Sequence, residues 1–169
     1  MKNLINLIAA VVLVAGLTTT SNAQVTGTAT GSATIITPIA IANAGNMNFG
    51  SIAVSTAPGT VALSTAAVRT ASGGVTLPAV TGSVTTAKFT VTGLGASTYS
   101  ISLPSSYVIS DGASHNMTVN NFVSDPSGTG ALTAGTQTIN VGATLNVLGS
   151  QTAGTYTNAT GFNVTVNYN

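Results

Sequence analysis

The stretch Phe162-Asn163-Val164-Thr165-Val166-Asn167-Tyr168 decides the fold. Large apolar side chains at 162, 164, 166 and 168 alternate without an error with Asn, Thr and Asn. Successive side chains of a β-strand point to opposite faces, so this pattern predicts a half-buried strand. Phe162, Val164, Val166 and Tyr168 face inward, and Asn163, Thr165 and Asn167 face water.

Working outward, the same period recurs in short runs bounded by turn residues. Phe89 and Val91 share one face of a strand from Lys88 to Thr92. Tyr99, Ile101 and Leu103 share one face of Thr98 to Leu103, which Pro104 stops. Further strands are predicted at Met47 to Ile52, Thr60 to Leu63, Val68 to Ala71, Val75 to Leu77, Tyr107 to Ile109, Asn116 to Phe122, Gln137 to Val141 and Ala143 to Val147. Their separators are Asn43-Ala44-Gly45-Asn46, Ala57-Pro58-Gly59, Ser72-Gly73-Gly74, a Gly93-Leu94-Gly95 hairpin turn, and loops at Ser110 to Ser114 and Asp125 to Gly130. No segment after residue 23 carries a helical pattern. Many short strands at this spacing predict an all-β sandwich, with Phe49, Phe89, Tyr99 and Phe162 in its core.

A second alternating stretch lies near the other end. Val25, Gly27, Ala29, Gly31 and Ala33 are separated by Thr or Ser at every even position up to Thr34. Within a long strand expected from Val25 to Ile41, this part has one small apolar face and one hydroxyl face. Its glycines weaken it in isolation, so it needs another sheet to pair with. Residues 24–34 are therefore a candidate donor strand, and residues 35–169 the sandwich domain.

Residues 1–23 have the three parts of a secretory signal: Lys2, the apolar run Leu4 to Leu17, and the small residues Ser21-Asn22-Ala23. The run is short for a bilayer span, which predicts cleavage after Ala23 and no membrane insertion afterwards. With no cysteine in the chain, lipid attachment through a thiol is closed. The expected location is periplasm, cell surface or medium.

Composition narrows the chemistry. Three Lys or Arg, two Asp or Glu and one His serve 169 residues. Beyond the leader the charged side chains are Arg69 and Lys88 against Asp111 and Asp125, a net charge of zero. Acid–base catalysis, metal binding and nucleic-acid binding all draw on groups this chain scarcely has. Yet 44% of its residues are hydrophobic, which separates it from disordered chains. Low net charge also offers little resistance to self-association.

The remaining polar signals are weak. His115 and Asp111, four residues apart, form at most a lone pair, and the segment Asp125-Pro126-Ser127-Gly128-Thr129-Gly130 has one carboxylate where calcium sites gather several. No Gly-x-Ser-x-Gly or Ser-x-x-Lys nucleophile motif occurs. The expectation is a non-enzyme with no cofactor and no metal.

Three ordered segments carry a family resemblance. They are Thr37 to Ile41 with Met47 to Ile52; Gly73-Gly74-Val75 ahead of Phe89 to Gly93 and Tyr99 to Pro104; and Gly154 to Thr157 before Phe162 to Asn169. Together they resemble the bacterial domain of unknown function 4402. The closing pattern, Gly154 and Tyr156 followed by an alternating strand with Tyr168 next to last, is also similar to spore-coat-protein-U-like and chaperone-usher pilin subunits. That similarity implies an immunoglobulin-like, pilin-like antiparallel β-sandwich. Unlike many such pilins, this chain has no cysteine for a disulfide, and its N-terminal stretch carries small apolar side chains.

The expected function is a secreted structural or adhesive surface subunit that polymerises by β-strand addition in a fimbria-like assembly. Its partners would be copies of itself or related subunits. The alternative is a secreted monomer that binds a glycan or another surface component, its N-terminal strand folded into its own sheet.

Overall fold

A computed structural model describes residues 23–169. The expected leader, apart from Ala23, lies outside the described residues. The chain divides at Thr34 into two units. In the first, residues 23–34 form no strand, and every side chain is exposed.

The second unit is all-β among the described residues. Its strands are β1 (Ala40–Gly45), β2 (Asn48–Phe49), β3 (Ala53–Leu63), β4 (Arg69–Thr76), β5 (Val84–Thr85), β6 (Ala87–Thr92), β7 (Thr98–Ser102), β8 (Ser106–Ser110), β9 (Asn116–Asp125), β10 (Thr129–Ala131), β11 (Thr136–Val147) and β12 (Thr165–Tyr168). Every pairing between them is antiparallel. They form an antiparallel β-sandwich with one continuous layer of seven strands. The facing layer is split into β10-β7-β12 and the small pair β2-β5.

β11 is the spine of this arrangement. Its odd residues Ile139, Val141, Ala143, Leu145 and Val147 are all buried. β6 pairs with 136–141 and β3 with 143–147 on one edge, while β9 runs along the other. At the changeover a Cβ on Gly142 would collide with the Leu63 carbonyl, so glycine permits the close approach of β3. The expected strands 137–141 and 143–147 are thus one strand, because the alternation carries straight through Gly142.

Two core clusters share that spine. Ala87, Phe89 and Val91 of β6 join Ile139 and Val141 against Tyr99, Val164 and Val166. Val61, Leu63, Val75 and Val119 join Ala143, Leu145 and Val147 against Phe49. Fully burying one such side chain contributes about 1.5–3 kcal/mol.

Several expected boundaries shift. Of the strand expected from Val25 to Ile41, only Ala40 and Ile41 are in a strand. Among the described residues the stretch before them forms no ladder: residues 26–34 carry small side chains with little to bury, Ile35 and Ile36 are exposed, and Ile39 packs against the core without pairing. Asn43 to Gly45 is no turn: it completes β1, with a register shift against β6. β3 passes through Ala57-Pro58-Gly59, because the ladder with β4 lapses between Val54 and Gly59 and needs no amide from Pro58. Likewise β4 crosses Ser72-Gly73-Gly74 as one strand, bent at Gly73 with φ of 71°. Gly93-Leu94-Gly95 makes no hairpin: β6 and β7 belong to different sheets, so this segment crosses between layers.

Candidate functional site

Side-chain burial over 162–168 follows the expected alternation, but the strand expected from Phe162 begins only at Thr165. Val164 and Val166 are buried, Phe162 and Tyr168 are half-buried, and Asn163, Thr165 and Asn167 are exposed. Regular pairing covers only 165–168, against β7 in the register Thr165–Ser102 to Tyr168–Tyr99. Upstream, the Phe162 ring packs among Phe89, Tyr107 and Phe122 at centroid distances of 6.2, 5.6 and 4.9 Å.

Tyr168 ends the strand with a double tie. Its hydroxyl accepts from the Leu94 amide at 2.6 Å and donates to the Thr37 carbonyl at 2.9 Å. A tyrosine next to last is therefore a clasp: its ring packs against the core while its oxygen holds two loops.

Beside β2, over residues of β6, β8, β9 and β11, lies a cavity of about 1030 Å3. Core side chains form its floor, including Phe89, Val119, Leu145 and Val147, and the irregular segment 151–162 supplies much of its wall. Tyr156 ties that segment: its hydroxyl donates to the Thr152 carbonyl at 2.7 Å and accepts from Gln151 Nε2 at 3.0 Å. Not one lining residue is charged. The wall residues Tyr107, Met117 and Gln151 were not among the sequence candidates. The signal for the gap is that residues 151–161 lack alternating apolar residues, so no strand closes this half of the layer.

The five residues of the other alternating stretch, Val25, Gly27, Ala29, Gly31 and Ala33, lie in the first unit. All are exposed, Val25 to 92%, and no atom outside the adjoining chain approaches within 4 Å of where a Cβ would stand at Gly27 or Gly31.

His115 and Asp111 do meet: His115 Nδ1 lies 2.6 Å from Asp111 Oδ2. Hydrogen bonds from the His115 ring, and then from the Ala113 amide, hold the Asp111 carboxyl below the usual carboxylate range. The His115 ring is exposed while the Asp111 side chain is largely covered, and the pair closes the 111–115 loop. Among the described residues no group of three His, Cys, Asp or Glu gathers as a metal site would require.

A family model described as Domain of unknown function (DUF4402) matches residues 39–168, nearly the whole second unit. The chain belongs to that family. Neither a curated protein nor a solved structure matches it.

Proposed function

We propose that this chain is an exported, non-catalytic structural or adhesive subunit, with an immunoglobulin-like, pilin-like sandwich, that associates by β-strand addition. The observation that carries the reading is the exposed stretch 24–34, which has no strand partner among the described residues and whose strict alternation from Val25 is that of a strand. An extended peptide joins an exposed sheet edge through main-chain hydrogen bonds, while alternate side chains set the register. The signal-like leader supports export, and near-neutral charge permits copies to approach. A fimbria-like assembly at the cell surface fits these properties.

Light scattering and negative-stain microscopy over a range of concentrations test this. Filaments or a ladder of oligomers, lost on deleting residues 24–34, are the expected result. Assembly that survives the deletion overturns the reading.

A second reading rests on the cavity, whose uncharged wall carries Asn48, Tyr107, Gln151 and Tyr156, groups suited to a neutral glycan. It predicts a monomer at all concentrations that is retained on a glycan array.

A further inference from the structure

We propose that the acceptor for residues 24–34 of a second copy is the outer edge of β12, continued past Phe162 into the cavity. This placement rests on the strand-addition reading above. It follows from asking which sheet edges remain usable, since exposed edges invite pairing and folded proteins blunt most of them.

The other edges are occupied, deformed or, at β5, only two residues long. On β8, Ser110 exchanges both backbone hydrogen bonds with Thr157, at 2.9 and 2.8 Å, and Asn158 Nδ2 donates to the Val108 carbonyl at 2.7 Å. On β10, the Thr129 amide donates to Ser127 O and the Ala131 amide to Gln137 Oε1. β4 carries the charge of Arg69 and the left-handed kink at Gly73, and β1 is bulged between Asn43 and Gly45. In β2, the Phe49 carbonyl accepts from Arg69 Nη1 at 2.6 Å.

β12 has none of these devices. It contains no charge, proline, glycine or register shift, and among the described residues it pairs with β7 alone. The direction of its backbone groups follows from the ladder. The Asn169 amide donates to Thr98 O, so residues 165, 167 and 169 address β7. Alternation then turns the N–H and C=O groups of Val166 and Tyr168 away from β7, along the open edge. The same residues point their side chains inward. An added strand would gain backbone hydrogen bonds and sit over the first core cluster.

Length and charge connect this edge to the cavity. Eleven residues in extended form span about 36 Å, far more than four-residue β12 offers. The added strand therefore runs along 162–164, where Phe162 lines the cavity. Neither the lining residues nor residues 24–34 bring a charge, so burying one against the other strands no ion. Val25, Gly27, Ala29, Gly31 and Ala33 form the inward face, and the Thr and Ser hydroxyls stay in water.

Residue-resolved amide exchange separates the placement from the reading it rests on. The purified full chain is compared with its Ala29→Asp variant, whose altered side chain is exposed and outside the sandwich. In assembled protein the Val166 and Tyr168 amides are expected to exchange about tenfold more slowly or better than in the variant. The Thr165 and Asn167 amides, already bonded to β7, change far less. If Ala29→Asp dissolves the assemblies but Val166 and Tyr168 exchange equally fast in both proteins, strand donation stands and the β12 acceptor is overturned. If the unaltered chain stays monomeric at every concentration, both fall.

Discussion

Residues 24–34 and 162–168 are written in the same period-two code, yet one forms a buried strand end and the other forms none. The difference lies in the size of the inward side chains. Fixing a residue's backbone costs about 1–2 kcal/mol, and more for glycine. Phe162, Val164, Val166 and Tyr168 offset that cost by burying large apolar surface against β6, β7 and β11. One valine, two glycines and two alanines have little to bury, so their segment needs a partner's backbone hydrogen bonds as well as its surface. Alternation settles which face points inward; side-chain volume settles whether the strand forms alone.

The comparison breaks most sharply by giving the C-terminal strand the inward residues of the N-terminal one. Val166→Gly removes a buried isopropyl group and adds backbone freedom, an expected loss of about 3 kcal/mol in denaturant unfolding. Tyr168→Phe keeps the ring but forfeits the ties to Leu94 and Thr37, and should lower stability by about 1–2 kcal/mol. Ala29→Asp, at the matching inward phase of the exposed stretch, should leave unfolding within about 0.5 kcal/mol of the parent while abolishing assembly in light scattering. A large stability loss from that substitution would show that residues 24–34 already serve their own sandwich.

The smallest effect concerns the loop pair. Because folding depresses the Asp111 carboxyl, its contribution is present above the ordinary carboxylate pKa and fades as pH falls through the depressed value. An NMR titration should place the Asp111 midpoint below that of an exposed aspartate, and His115→Ala should move it upward. Solvent screening keeps any change in stability slight.

Strands with large inward side chains were legible at once, as in Phe89 with Val91, Tyr99, and Val164 with Val166. Punctuation was less reliable. Gly73, Gly142 and Pro58 read as breaks, but each sits inside a strand, at a kink, a close crossing or a gap in the ladder. Local chemistry marks such residues as unusual without saying whether the chain turns or merely bends. The cavity was not legible, since it is bounded by residues distant in sequence and arises where a strand is missing.

By itself, the sequence determined that the chain is a β protein, which side chains of each strong strand face the core, and how few groups it has for catalysis. Those properties follow from period and composition, which act locally. Only the tertiary structure decided that β11 serves both core clusters, that a cavity opens beside β2 where residues 151–161 form no strand, and that β12 pairs with β7 alone among the described residues. Pairing joins residues far apart in the chain, and whether an edge is free depends on every other strand having found its partner.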